Sequence, residues 1–414
     1  MTASRRTFSL LAFAFITIAS LWISHRANTE WDYPLDAGPP IDALAHGRIH
    51  EFLSARPVMG PLSIVLRAPF AALGQLVGHG GKVNYYLDDY RFGVFPCLMA
   101  AGILSIALVR IMEREGRSVV IRAVVVILSV VNPVTLRSVH FGHPEEVLGA
   151  ALLVGSVVAA VRGRIWLAAV LLALAIVNKQ WAFIALPSAA LIIALAAGRD
   201  RIRGPALILA AVGLLLTVPL LIVDAGSLLK TFRNLADLRG TYVFPADIWY
   251  PFAPHLSAER AAHSLRGLKQ MPDWLGAVAR PMILAMGFAL PLVFARRVAA
   301  NLQQRALPLL ALVMLLRCAL DPADNGYYHV PFFLALLAAD ALNGRIYATI
   351  VAAILLQVPT TVAPPGDTLS IYYICWALPF AVYLAGRTWG LDWAALIRTR
   401  GARGPAAGRT LPQS

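Results

Sequence analysis

Long apolar runs broken by short polar joints set the pattern of this chain. Runs of about 18 residues or more are long enough to cross a bilayer as a helix, and several shorter ones have the same character. Read on that basis, the sequence predicts helices at roughly 7–24, 92–110, 119–136, 145–161, 165–178, 181–198, 205–223, 277–295, 306–320, 329–343, 345–362 and 369–387. The expectation is an all-α polytopic membrane protein with about twelve transmembrane helices. Residues 1–414 then form one integral membrane domain, with long loops at 25–91 and 224–276 and a tail at 388–414.

Lys and Arg set the expected orientation. Arg5 and Arg6 precede the first span, and the joints EREGRS (113–118), RGR (162–164), GRDRIRG (198–204) and ARRVAANLQQR (295–305) fall on the same side with the tail. Positive-inside places both termini in the cytoplasm of a multi-pass plasma-membrane protein. The apolar segment MGPLSIVLRAPFAALGQLVG (59–78) carries Arg67 and Pro69 near its middle. A charge there costs about 2.5–3.5 kcal/mol to insert, so the segment is expected to lie as a helix in the outer interface.

Composition narrows the class. The chain is 59% hydrophobic and 14% charged, which excludes an ordinary soluble domain. Its net charge of +14 is spread over short loops without a basic, aromatic-interleaved stripe, so nucleic acid is not an expected partner. Cys97, Cys318 and Cys375 sit in or beside apolar segments with no disulfide framework and no metal-ligand spacing. Most Asp and Glu residues fall on the outer side, where the two long loops lie, and chemistry is expected there.

Four polar constellations stand out on that side. NTEWDYPLDAGPPIDALAHGRIHEF (28–52) brings Glu30, Asp32, Asp36 and Asp42 close behind the first span, with Asp42 expected near the start of a short helix, where a capping role competes with a chemical one. HFGHPEEVLG (140–149) sets His140 and His143 beside Glu145 and Glu146. One glutamate there suits the first turn of a helix, but the pair and the histidines are left unexplained. A metal ligand set is too short to be convincing in that run. Lys179 in AIVNKQWAFIAL (175–186) has almost no loop to lift it into water, so it snorkels or pairs with an anion. LRCALDPADNGYYHVPFF (316–333) clusters Arg317, Asp321, Asp324, Tyr327, Tyr328 and His329. The loop at 224–276, with Lys230, Arg233, Arg239, Asp247, Trp249, Tyr250 and His255, looks suited to a polar substrate.

The order and placement of these motifs resemble the polytopic lipid-dependent glycosyltransferases of the GT-C superfamily, and most closely glycosyltransferase family 87. The resemblance rests on Asp36 ahead of IDALAHG, the polar connection at 142–145, the lysine of VNKQWAFIAL and the late motif DPADNGYYHVPF. At 142–145 the family commonly has Gly-Gln-x-Asn, whereas this chain reads Gly-His-Pro-Glu. The resemblance implies transfer of a hexose, here mannose, from a polyprenyl-monophosphate sugar donor to a lipid or glycan acceptor of the cell envelope, without a nucleotide-sugar site; no cofactor and no metal ligand are assigned.

That reaction needs a base for the acceptor hydroxyl and positive charge for the departing phosphate. Asp36 is the expected base, with Asp42 second. Lys179, Arg317 and His329 are expected to face the phosphate. His143, Glu145, Glu146, Asp321 and Tyr328 are expected to line the substrate cavity. The rival reading is a transporter or flippase of a polar or lipid-linked substrate. It usually carries internal repeats and polar groups near the midplane, whereas here no repeat is evident and the polar groups gather at one face.

Overall fold

The computed structural model describes residues 3–28, 32–55, 60–77, 86–262, 267–361 and 366–391. Glu30 and most of the expected tail lie outside these residues. After α1 (Ala3–Arg26), the first long loop folds into three helices, α2 (Gly38–Ala45), α3 (Ile49–Ser54) and α4 (Pro61–Val77). Next come α5 (Leu87–Arg114), α6 (Val119–Val130), α7 (Pro133–His140), α8 (Glu145–Val161), α9 (Ile165–Asn178) and α10 (Ala182–Ala197). The second half holds α11 (Arg203–Ala236), α12 (Ala258–Ala262), α13 (Asp273–Ala300), α14 (Leu302–Leu320), α15 (Val330–Leu342), α16 (Tyr347–Thr361) and α17 (Asp367–Trp389). Each predicted span falls on helix. Among the described residues, seven helical segments are long and apolar enough to cross a membrane, and further apolar helices are shorter. The protein is an all-α polytopic membrane protein.

Two layers follow from how apolar residues are distributed around each helix. Almost all of α8 and α15 is buried, and α14 is buried over most of its length. A helix that is apolar all round belongs inside a bundle. The helices around them turn one apolar face outward: Leu10, Leu11 and Ile18 on α1, Leu292 and Val293 on α13, Leu378 and Val382 on α17. In water that surface would aggregate, whereas in lipid it is the matched face. α11 is the extreme case, with none of its apolar window at Arg203–Val223 buried. It runs for 34 residues, about 51 Å at 1.5 Å per residue, against a hydrocarbon core of about 30 Å. Regular helix therefore occupies the first part of the segment expected to be loop from residue 224 onward. The side chains of Lys230 and Arg233 lie outside the described residues.

Local chemistry fixes the breaks that build the site. The predicted span at 119–136 is two helices, because Asn132 caps α7 by accepting from the Thr135 N–H at 2.9 Å, with Pro133 in the first helical position. At Gly142 the backbone turns through φ +92, and the Tyr33 backbone packs so closely that a Cβ would sit 2.8 Å from its nitrogen. At Gly149 a Cβ would meet the Asn178 amide at 2.7 Å, so glycine is what lets α9 and α10 close on α8. The second loop carries a two-stranded antiparallel pair, β1 (Tyr242–Val243) and β2 (Lys269–Gln270), over its own small core of Leu238, Val243, Tyr250 and Met271. It is tied to the end of α14 by Trp249 Nε1 donating to the Leu320 carbonyl at 3.1 Å. Both long loops and three tight turns thus meet at one end of the bundle.

Candidate active site

The centre of that end is the first turn of α8. Glu145 and Glu146 have no solvent exposure. Three cations reach Glu145 from three different elements. Lys179 Nζ, between α9 and α10, lies 2.9 Å from Oε1. His143 Nδ1 lies 2.8 Å from the same oxygen, and Arg67 Nη1, on α4, lies 3.3 Å from Oε2. Glu146 takes Lys179 at 3.3 Å and the Trp181 indole N–H at 2.7 Å. The Asn178 side chain donates to the Glu145 carbonyl at 2.9 Å. Buried carboxylates survive in a bundle only when paired and hydrogen-bonded, and these are.

His143 links this cluster to the first loop. Its Nε2 lies 2.9 Å from Asp32 Oδ2, so each ring nitrogen faces a carboxylate. Only the imidazolium can donate from both. Burial alone would lower its pKa, but the Glu145 charge and the hydrogen bonds to Asp32 and Glu145 outweigh it and push the group up to about 9. The ring stacks on Tyr327 at 4.9 Å. Tyr327 thereby joins the turn at 140–144 to the late motif.

Asp36 is half-buried beside this network, and no hydrogen bond to its carboxylate occurs among the described residues. Burial raises it above the ordinary carboxylate range. His143 and Lys179 oppose the shift, while Asp32 and Glu145 add to it. Asp42 belongs to another group. It lies in the middle of α2 rather than near its start, and its carboxylate is taken by Arg48, by His46 Nδ1 at 3.1 Å and by Gln75 Nε2 at 3.1 Å. Gln75 also donates to Asp89 at 2.9 Å. The capping role expected for Asp42 is thus replaced by a side-chain network that ties α2 to α4 and α5.

The late motif divides in the same way. Arg317 stacks against Tyr328 and Trp181, with its carbon 4.5 and 5.7 Å from the ring centroids. Its Nη1 donates to the Tyr328 carbonyl at 3.0 Å. Asp321 does not pair with Arg317. Its Oδ1 accepts from the Ala323 N–H at 3.2 Å and its Oδ2 faces Arg280 at 3.9 Å. His329 points into the bundle, with Nε2 2.9 Å from the Tyr373 hydroxyl and Nδ1 3.4 Å from Asp324. Neither contact is with a member of the Glu145 cluster. Burial pushes the Asp324 carboxyl well above the usual range. Cys318, Asp324 and His329 form the group of metal-ligand types found among the described residues. Cys318 Sγ meanwhile donates to the Tyr328 carbonyl at 3.2 Å, so each member already has a protein neighbour.

Two expectations change in this geometry. Lys179 was expected to meet a phosphate and is instead held by two carboxylates. Arg67 was read as an obstacle to insertion, yet its guanidinium is fully buried on Glu145, beneath the rings of Tyr33 and Tyr90 at 5.1 and 5.9 Å. The signal for Arg67 was present: an ionisable residue inside an apolar run marks function or a buried partner more often than a liability. Tyr33, Asp32, Trp181 and Tyr327 carry no comparable signal, because single aromatics and loop acids are common at a membrane boundary.

No curated protein and no solved structure matches this chain. Residues 60–195, from the start of α4 into α10, do match the MptA_B family model, described as Alpha-(1->6)-mannopyranosyltransferase, N-terminal domain. That segment contains Arg67, His143, Glu145, Glu146, Lys179 and Trp181, while Asp36 and Arg317 lie outside it. The match supports a mannosyltransferase activity.

Proposed function

We propose that the protein transfers mannose from a polyprenyl-monophosphate mannose to a hydroxyl of a cell-envelope lipid or glycan, on the face of the membrane where the two long loops meet. The observation that carries this reading is the pairing of a half-buried, unpaired Asp36 with a buried, charge-balanced network around Glu145. A raised carboxyl without a competing protein partner suits a general base for an acceptor hydroxyl. The donor already contains its leaving group, so the remaining task is to stabilise phosphate charge.

Arg317 suits that task better than Lys179. Its guanidinium lies over two rings, and its protein hydrogen bonds, to the Tyr328 carbonyl at 3.0 Å and more weakly to Cys318 Sγ at 4.0 Å, both come from Nη1, which leaves other N–H groups for a phosphate oxygen. The His143 imidazolium adds fixed positive charge from the other side of Tyr327. Lys179 and Arg67 act indirectly, by neutralising Glu145 and Glu146 so that the α8 terminus does not repel an anionic donor. Asp321 and Tyr328 border the Arg317 side of this space, and Asp42 shapes the first loop. Both termini on the opposite, cytoplasmic side would accord with the arginine distribution.

The reading is tested with the full-length protein in membranes, supplied with polyprenyl-phosphate mannose and a cell-envelope lipid extract. Mannose appearing in the extract with release of polyprenyl phosphate supports it. Movement of intact donor between leaflets without transfer, unchanged in Asp36→Asn, would instead establish the flippase reading.

A further inference from the structure

At the end of the bundle opposite the Glu145 cluster, a cavity of about 430 Å³ is lined by Arg117, Arg305, Arg345 and Arg387, with Gln304 and Asn343 among them. These residues come from the far ends of helices whose other ends form the candidate site. The separation is set by α14, whose 19 residues span about 28 Å. Among the described residues, no carboxylate lines the cavity.

Positive flanks on membrane spans are ordinary, and Arg387 in the last turn of α17 also suits the helix dipole. The other three stand at or just before helix N-termini, although two of them also reach carbonyls at the C-terminal ends of other helices: Arg117 Nη2 donates to the Leu342 carbonyl at 3.2 Å and Arg305 Nη1 to the Arg297 carbonyl at 2.7 Å. Arg117 precedes the Ser118 cap of α6, Arg305 lies in the opening of α14, and Arg345 stands just before α16. None of these helices has an acidic residue in its first turn.

The nearby acids relieve this charge only in part, with Asp340 close enough to Arg387 and Arg345 to act on both electrostatically. Glu115, 3.5 Å from Arg117, is shared with Arg162. Asp340 accepts from the Thr349 N–H and hydroxyl, both at 3.0 Å. The Arg345 guanidinium makes no hydrogen bond among the described residues, and Arg117 Nε is buried without a partner. Guanidiniums gathered from four elements around one polar cavity, with three helix N-termini behind them, are matched to a multiply charged oxyanion.

We propose that this cavity binds a phosphate-bearing anion, supplied in the membrane by the phosphorylated headgroup of an anionic lipid. Basic pockets between helix ends hold such headgroups elsewhere by the same chemistry. The site is separate from the transfer reaction and stands or falls independently of it.

The test uses the full-length protein in nanodiscs of phosphatidylcholine and cardiolipin, with retained lipid read by native mass spectrometry. A parallel titration with inorganic pyrophosphate in detergent reads a soluble source of the same chemistry. Cardiolipin retention over phosphatidylcholine is expected, falling about tenfold or more in Arg345→Gln/Arg387→Gln, since a charge-assisted hydrogen bond is a matter of a decade in affinity or more. Arg345→Gln alone, at an exposed position, should show part of that loss without disturbing the fold. Arg203→Gln, at the same end but away from the cavity, should retain lipid as the parent does. Pyrophosphate binding that is lost in the same variants, without lipid preference, would support the anion site and assign its phosphate to a soluble compound. Equal retention of both lipids with no pyrophosphate binding overturns the proposal. So does an equal loss in Arg203→Gln, which would mean general surface charge.

Discussion

Arg67 and Glu145 face each other at 3.3 Å inside the bundle, and neither side chain has any solvent exposure. The two lie far apart in sequence, one in the last helix of the first long loop and the other at the head of the central helix α8. Removing one member of a buried ion pair leaves an uncompensated charge and typically costs about 3–5 kcal/mol. Arg67→Leu is therefore expected to lower stability by that order in detergent thermal unfolding. Part of the loss will be offset because Lys179 and His143 still hold Glu145. A melting profile matching the parent would remove Arg67 from the framework of the site.

The base assignment separates two aspartates of one loop. Asp36→Asn should lower mannosyl transfer by about 10²-fold or more, since the amide cannot take a proton. Asp42→Asn removes the charge of a buried carboxylate that serves Arg48, His46 and Gln75, and should cost about 1–3 kcal/mol. Transfer should then stay near the parent rate. Full activity in Asp36→Asn with loss in Asp42→Asn would reverse the assignment.

Lys179 and Arg317 should fail in different ways. Lys179→Met strands Glu145 and Glu146 and is expected to reduce folded protein in the membrane fraction. Arg317→Ala breaks no ion pair found among the described residues, and should raise the donor KM by about tenfold while protein levels hold. Equal donor kinetics in Arg317→Ala and the parent would return that arginine to a packing role.

His143 gives the protein a pH signature. Its pKa is raised from 6.5 to about 9, so its ion pairs contribute full stability below about pH 6.5 and lose it as the pH rises through about 9. The stability difference between parent and His143→Gln should thus be largest in mild acid and shrink in alkali. Transfer should rise with pH as Asp36 ionises, above the usual carboxylate range, and fall again near pH 9. A difference that grows with pH would show that His143 is neutral in the folded state.

Orientation is tested by fusion. Reporters after residue 162 or 200 should behave as cytoplasmic, and those near 85 and 250 as external. An external result at 162 would mean that α4 crosses the membrane, and the site would then lie on the other side.

The sequence by itself determined the membrane class, the helices and the segments from which the site is built. Apolar runs of spanning length admit little other than helix, because every backbone group in lipid must be satisfied within its own segment. The polar constellations were legible for the same reason: His143, Glu145, Glu146 and Lys179 stand out against apolar surroundings where unpaired charge is costly. Which cation meets which carboxylate was not legible. Lys179 looks free in sequence because no acid lies within a helical turn, yet two reach it from α8. Arg67 looks misplaced until α4 packs on α5 and turns it toward Glu145. Asp36 and Asp42 sit six positions apart and look interchangeable, but α2 directs one to Arg48 and Gln75 and leaves the other beside His143. Tertiary structure decided these pairings, because the energy of a buried charge depends on partners a few ångströms away in space, and sequence distance carries no record of that separation.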